Sequence, residues 1–141
     1  MIVYTGGTFD VLTVGHIDLL KWCRRIAGNG KVVVALNSDE FVSRFKGKTT
    51  MCYDDRKQLL EALKTLVDEV IPNGGDEDSK PTILKVMPDV IVVGSDWLKK
   101  DYMKQMSFTP QWLEENSIAL IYIPRHLDIS SSKVKEKIRN A

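Results

Sequence analysis

The chain has 141 residues, 43% of them hydrophobic, which is enough for one buried core and too little for two, so we expect a single domain over residues 1–141. Its 20 lysine and arginine residues nearly balance its 19 aspartate and glutamate residues, which argues against general binding to nucleic acid or to an anionic membrane. Two cysteines, two histidines and no apolar run near the ~20 residues of a membrane helix favour a soluble, cytoplasmic protein without a structural metal site.

The first part of the chain predicts a strand, a glycine loop, a helix and a second strand. Residues Met1–Thr5 are apolar and β-branched, and we expect this strand to stop at the Gly-Gly pair that follows. Apolar residues at helical spacing predict a helix over His16–Ile26, which an Asn-Gly pair ends before a strand over Lys31–Leu36. This order is typical of a βαβ unit with parallel strands.

The same alternation continues to the end of the chain. The predicted elements are a helix at 53–66, a strand at 68–71, a helix at 81–87, a strand at 90–93, one or two helices within 95–116, a strand at 118–123 and a helix at 130–139. Within 95–116, Thr109 is the predicted N-cap and Pro110 the first helical residue. Together the elements predict an α/β fold, a five-stranded parallel sheet with helices on both faces.

The loop after the first strand has a composition that suits a phosphate. In a parallel sheet the loops after the strands share one rim, where ligands bind. Residues 6–16 are GGTFDVLTVGH, in which glycines let the backbone approach a ligand and a helix begins beside His16 with free N–H groups. Glycine and threonine also form ordinary turns, and that alternative stays open. We expect Asp10 to order this loop through backbone hydrogen bonds rather than to act as a base.

The loop after the last strand offers a second place for an anion. Ser130, Ser131 and Ser132 stand at the start of the last predicted helix, where their hydroxyls can cap the helix or donate to a phosphate. Arg125, just upstream, supplies a bidentate guanidinium that capping does not require. Two such loops on one rim predict a polyphosphate ligand.

Five blocks of sequence follow one another along residues 2–139: GTFDVLTVGH (7–16), NSDE (37–40), LVDEVIP (66–72), VVGSDW (92–97) and PRHLDISSSK (124–133). Together they resemble the glycerol-3-phosphate cytidylyltransferase family of the nucleotidyltransferase superfamily. The resemblance implies a Rossmann-like nucleotidyltransferase fold and a homodimer. It also implies transfer of CMP from CTP to a phosphorylated alcohol with release of pyrophosphate, and Mg²⁺ bound mainly through the triphosphate.

The resemblance further implies roles for individual residues. The catalytic residues would be His16, Thr13, Lys46 and Arg125. The nucleotide would be bound by Gly7, Thr8, Phe9, Thr13, His16, Asp96, Arg125, Ile129, Ser130, Ser131 and Ser132, and the substrate phosphate by Lys46, Lys48 and Arg56. No residue is implied as a metal ligand. The open alternatives are a solvated basic loop for the two lysines, a surface position for Arg56 and a loop anchor for Asp96.

One residue departs from the family pattern. The family has a His-x-Gly-His motif, and Thr13 stands where its first histidine is expected. Threonine donates a hydrogen bond but carries no charge, and losing one preorganised donor costs on the order of 10²- to 10³-fold in rate. The enzyme is therefore expected to be slow, to recruit another donor such as His126, or to have lost turnover.

Two other functions stay open on the sequence. An ATP-dependent adenylyltransferase of the same fold would carry the same phosphate loops, because the sequence distinguishes the bases poorly. A nucleotide-binding sensor without turnover is favoured by Thr13 alone. The acceptor alcohol is not specified either, although the long segment 98–116 is expected to add a helix near the pocket.

Overall fold

Five parallel strands form one sheet in the computed structural model, which describes residues 1–74, 77–95, 101–124 and 131–141. The strands are β1 (Ile2–Gly7), β2 (Lys31–Leu36), β3 (Glu69–Pro72), β4 (Val90–Gly94) and β5 (Ala119–Ile123). Their order is β3-β2-β1-β4-β5, so the first strand lies at the centre. The predicted α/β fold with five parallel strands is confirmed.

The α-helices of the described residues lie between these strands and after the last one. They are α1 (Val14–Ala27), α2 (Asp39–Lys46), α3 (Tyr53–Glu61), α4 (Lys80–Val86), α5 (Tyr102–Met106), α6 (Pro110–Glu115) and α7 (Ser131–Arg139). The side chain of Thr109 accepts from the N–H of Trp112 at 3.1 Å, so it caps α6 as predicted. Within the described ranges, no helix is long and apolar enough to cross a membrane.

Side chains of the strands alternate between two apolar layers. On one face, Tyr4 and Ile91 pack in a cluster with Ile83 of α4 and Leu113 of α6. On the other face, Val3 and its neighbours pack against α1, and a further cluster joins α1 to α3. Helices therefore cover both faces of the sheet, as the alternating pattern of strands and helices predicted.

Strand β1 is longer than the sequence predicted. We expected it to stop before Gly6 and Gly7, but both glycines continue the strand and pair with Ala35 and Leu36 of β2. Glycine is tolerated in a strand where something must approach the backbone closely. The sheet therefore carries its glycine backbone directly to the rim.

The region between β2 and β3 differs from the prediction at two points. Helix α2 was not predicted, although Ser38 caps it by accepting from the N–H of Phe41 at 3.1 Å. Helix α3 ends at Glu61 rather than at residue 66, because the chain then makes turns. Leu63 and Leu66 still pack against the core from those turns, so their spacing marked burial rather than helix.

Candidate active site

A cleft of about 400 Å³ opens at the carboxyl ends of β1, β2 and β3. Its volume lies in the range of small-molecule sites. The sequence-predicted residues that line it are Gly7, Thr8, Phe9, His16, Lys48, Ser131 and Ser132. The other polar and charged lining residues are Asp10, Asn37, Thr49, Thr50, Asn73, Gln105, Lys135 and Arg139. The structure thus joins the two anion-suited loops, at β1 and at α7, in one cavity.

The loop after β1 is tightly packed and conformationally strained. A Cβ atom on Gly7 would lie 2.9 Å from the ring of Phe9, so only glycine fits without displacing that ring. Phe9 and Val11 have φ angles of 50° and 64°, in the left-handed region that side chains rarely adopt. The Phe9 ring in turn packs on the imidazole of His16, with 5.2 Å between the centroids. The strained backbone at Phe9 therefore holds the Phe9 ring against the imidazole of His16.

His16 is held in one orientation by the start of its own helix. The main-chain N–H of Thr13 donates to Nδ1 of His16 at 3.1 Å, and the Thr13 hydroxyl lies 3.4 Å from the same nitrogen. A ring nitrogen that accepts a hydrogen bond is unprotonated, so the neutral imidazole carries its proton on Nε2. The helix start therefore presents His16 as an Nε2–H donor.

Arg56 is buried behind the cleft lining rather than within it. The residue is 1% exposed, and its guanidinium donates to the carbonyls of Met51, Thr8 and Asn37 at 3.0, 2.7 and 3.0 Å. It also donates to the Asp39 carboxylate at 2.6 Å. Four of its five N–H groups are thus bonded to the protein. We expected Arg56 to face a substrate phosphate, whereas the structure makes it the junction of three loops.

Asp39 completes this junction from the other side. Burial would raise the pKa of its carboxyl, but the Arg56 guanidinium, the N–H of Tyr53 and the Thr49 hydroxyl hold that pKa below its usual value. The carboxylate therefore stays charged and ties the start of α3 to the start of α2.

Asp10 connects the first loop to the segment that carries Lys48. Asp10 is 5% exposed. Its carboxylate accepts from the N–H groups of Thr50 and Met51 at 2.8 and 2.9 Å and forms an ion pair with Lys135. Burial would raise its pKa, but Lys135 and the two N–H groups lower it below the usual value. Asp10 does bond to backbone N–H groups, as expected, but these belong to a segment 40 residues away rather than to its own loop.

Helix α7 contributes more to the cleft than the sequence suggested. Ser131 and Ser132 line the cleft, and so do Lys135 and Arg139, one and two turns further along the same face. Neither cation was predicted, although their positions four and eight residues after Ser131 were a usable signal. Together with Lys48 they place three cations beside one carboxylate in the described lining, and because that carboxylate, Asp10, is paired with Lys135, two positive charges remain in excess.

Side-chain amides that were not predicted as site residues link the ends of three strands. The side-chain amide of Asn37 donates to the Thr8 hydroxyl at 3.2 Å, and the side-chain amide of Asn73 donates to Oδ1 of Asn37 at 2.9 Å. Asn73 lies directly after β3 and is 7% exposed. No local sequence pattern predicts this chain of bonds, because its members are about 30 residues apart.

Some predicted residues lie outside the described residues. These are Asp96, Arg125, Ile129 and Ser130, together with His126 and the side chain of Lys46. Their roles stay predictions. Thr13 is described, as the N-cap residue of α1.

The cleft places helix starts, glycine backbone and cations at the carboxyl edge of a parallel sheet. This arrangement defines an α/β protein that binds an anionic ligand at its strand ends, the class to which nucleotide-binding folds belong. Residues 4–137 match the family described as cytidylyltransferase-like, and the chain belongs to that family.

Curated relatives agree with this assignment, and a solved structure shares the fold. A glycerol-3-phosphate cytidylyltransferase from Bacillus subtilis is 37% identical over 137 residues, which are 96% of this chain and 95% of that protein. An FAD synthase from Korarchaeum cryptofilum is 30% identical over 96% of this chain and 90% of its own length. The crystal structure of the lipopolysaccharide core biosynthesis protein from Thermoplasma volcanium shares the fold, with a TM-score of 0.67 and 22% identity over 90% of this chain and 98% of that one. The chain is therefore an enzyme of the nucleotidyltransferase type, as the sequence predicted.

Proposed function

We propose that the protein transfers CMP from CTP to a small phosphorylated alcohol similar to glycerol 3-phosphate and releases pyrophosphate. One observation carries the proposal: the oriented His16 imidazole, the start of α7 and three cations share one cleft. The similarity to glycerol-3-phosphate cytidylyltransferases over 96% of the chain supports this choice of substrates.

The reaction needs no covalent intermediate on the protein. A phosphate oxygen of the acceptor attacks the α-phosphorus of CTP in line, a new P–O bond forms, and the bond to the pyrophosphate oxygen breaks. The protein then contributes position and charge neutralisation, as in other phosphoryl transfers. In the proposal, His16 donates from Nε2 to the triphosphate, and Lys135, Arg139 and the two serines of α7 bind its oxygens.

The acceptor phosphate is proposed to bind near the loop between α2 and α3. Lys48 lines the cleft there, and Lys46 is included on the resemblance alone. In this proposal Arg56 is a positioning residue. Its bonds to the carbonyls of Thr8, Met51 and Asn37 fix the loops that surround the phosphates.

The proposed cofactor is Mg²⁺, bound mainly by the triphosphate itself. No group of three or more ligating side chains occurs within the described residues, and the Asp10 carboxylate is already bonded on both oxygens. Magnesium bound in this way neutralises charge on the phosphate oxygens. The homodimer implied by the resemblance also belongs to the proposal, and light scattering of the purified protein tests it.

A pyrophosphate-release assay tests the function. CTP, ATP, UTP and GTP are each combined with sn-glycerol 3-phosphate, a longer polyol phosphate, phosphocholine and phosphoethanolamine, in the presence of Mg²⁺. The proposal requires release with CTP and one alcohol phosphate, and loss of that release in His16→Ala. Release with ATP alone would instead support an adenylyltransferase. The similarity to an FAD synthase favours this second candidate.

Thr13 gives the assay a second comparison. Saturable nucleotide binding without release, together with activity gained in Thr13→His, would identify a binding protein that lost turnover at this position. A Thr13→His variant that is no faster than an active wild-type enzyme would show that the threonine is an adequate replacement.

A further inference from the structure

The cleft extends well to one side of the central strand. In a doubly wound sheet the nucleotide binds at the switch point of strand order, here between β1 and β4. Asn37 and Asn73 follow β2 and β3, which lie on the opposite side of β1 from β4. We call the part of the cleft lined by Asn37, Asn73, Gln105 and Met106 the β3 side. This side is available to the second substrate.

The β3 side offers amides rather than charges. Asn73 is 7% exposed, and its carbonyl oxygen Oδ1 is buried and accepts no hydrogen bond from the described residues. The Asn73 side chain therefore keeps hydrogen-bonding capacity that the described residues do not use. Gln105 lines the same side from an exposed position, with both a donor and an acceptor. Amide groups of this kind match neutral hydroxyls, which donate and accept in turn.

The wall that carries Gln105 is firmly attached. The Ser79 hydroxyl and N–H both donate to the carbonyl of Met106, at 2.6 and 3.2 Å, and the Ser107 hydroxyl donates to the carbonyl of Glu77 at 2.8 Å. Directly after this wall, Phe108 stacks on Trp112 of α6 with 5.6 Å between ring centroids. Specificity requires side chains on supported elements, and the end of α5 meets that condition.

From these contacts we infer that Asn73 and Gln105 are specificity-determining residues that bind the free hydroxyl groups of the acceptor. This inference rests on the proposed function. Two separate amides select an acceptor with at least two free hydroxyls beside its phosphate ester. The described lining residues offer no free carboxylate to a cationic amino alcohol, because Asp10 alone among them carries one and it is held by Lys135.

The test compares acceptors that differ by one hydroxyl. Initial rates with CTP and Mg²⁺ are measured for sn-glycerol 3-phosphate, 3-hydroxypropyl phosphate and phosphoethanolamine, using wild type, Gln105→Leu and Asn73→Ala. Gln111→Leu is the matched control, since Gln111 is an exposed glutamine on α6 that bonds to Glu115. Thermal melting checks that Asn73→Ala folds. If that variant does not fold, Gln105→Leu alone still tests the inference.

We expect wild type to prefer the acceptor with two hydroxyls and to discriminate against phosphoethanolamine. Gln105→Leu should lower kcat/KM for sn-glycerol 3-phosphate about tenfold, the effect of about one hydrogen bond, while 3-hydroxypropyl phosphate and the KM for CTP change little. An equal loss on both acceptors, a raised KM for CTP, or a preference for phosphoethanolamine would overturn the inference alone. No turnover by wild type with any acceptor would overturn the proposed function and this inference with it.

Discussion

The N–H of Thr13 and Nδ1 of His16 are hydrogen-bonded across 3.1 Å, which makes one histidine both a helix cap and a candidate catalytic donor. A glutamine at this position can keep the cap, because its carbonyl reaches the N-cap N–H in a capping box, but it has no imidazole Nε2–H. The two roles can therefore be separated by substitution.

We predict that His16→Gln and His16→Ala both lose about 10²- to 10³-fold in kcat. His16→Ala should in addition lose about 1 kcal/mol of unfolding free energy with the cap, whereas His16→Gln keeps it. Pyrophosphate release and urea denaturation measure the two effects. Wild-type activity in His16→Gln would show that the imidazole is not needed.

Gly7 and Gly6 form a matched pair for testing the packing of the first loop. Gly7→Ala places a methyl group 2.9 Å from the Phe9 ring, so we expect a loss of about 1–3 kcal/mol in unfolding free energy and a fall in kcat as the ring shifts against His16. The nearest atoms to a Cβ on Gly6 are 3.6 Å away, so Gly6→Ala should cost less than about 1 kcal/mol. Equal stability losses in the two variants would contradict this account.

Arg56 should matter more for stability than an exposed arginine. Arg56→Met leaves three carbonyls without their donor, at about 1 kcal/mol each, so we expect a loss of about 3 kcal/mol in the free energy of unfolding. Arg25, which is exposed on α1 and lies over the Trp22 ring, serves as control, and Arg25→Met should change that free energy by less than about 1 kcal/mol. Urea titration of the two variants and wild type measures these differences in the free energy of unfolding. A fully stable Arg56→Met protein with a raised KM for the acceptor would instead place Arg56 at the substrate phosphate.

The ion pair of Asp10 and Lys135 predicts a pH dependence. Because the folded-state pKa of Asp10 is lowered, its contribution to stability is complete above the ordinary aspartate pKa of about 3.9 and is lost as the pH falls through the lower folded-state pKa. Asp10→Asn should therefore be about 2 kcal/mol less stable than wild type at neutral pH, and the two should converge in acid. Denaturant titrations between neutral pH and strong acid measure this difference. The exposed Glu114→Gln should track wild type throughout, and a difference for Asp10→Asn that persisted unchanged into acid would contradict the prediction.

The sequence predicted the sheet better than the helices beside the site. Strands such as Lys31–Leu36 are continuous apolar runs, and burial on both faces leaves little other choice. Helix α2 was missed because its basic residues suggested a loop, although Phe41, Val42 and Phe45 have helical spacing. Local apolar spacing also overextended α3, since leucines in turns can be as buried as leucines in a helix.

Within the site, the sequence could identify chemistry but not burial. Glycines, histidine and serines near strand ends were recognisable from their type and position, and they line the cleft. The burial of Arg56 was not predictable, because two of its carbonyl partners, on Thr8 and Asn37, lie 48 and 19 residues away in sequence. Nothing in the sequence indicated that the amides of Asn73 and Gln105 belong to the site, because only the tertiary fold brings both to the β3 side of the cleft.

The central place of β1 has a consequence for how the chain is made. As synthesis proceeds, β1 can pair with β2, and β2 with β3, once residue 72 has emerged, but the other edge of β1 stays open until Val90 and Ile91 leave the ribosome. An unpaired edge in the middle of a future sheet is a place where nascent chains can associate wrongly. The contacts that close it, from the Thr5 hydroxyl to the Val92 carbonyl at 2.9 Å and from the Ile2 N–H to Asp89 at 2.7 Å, each span 87 residues. Strand β1, which precedes the other four strands in the chain, is thus among the last to be completed, and the glycine-rich rim it carries can form a working site only after β4 is in place.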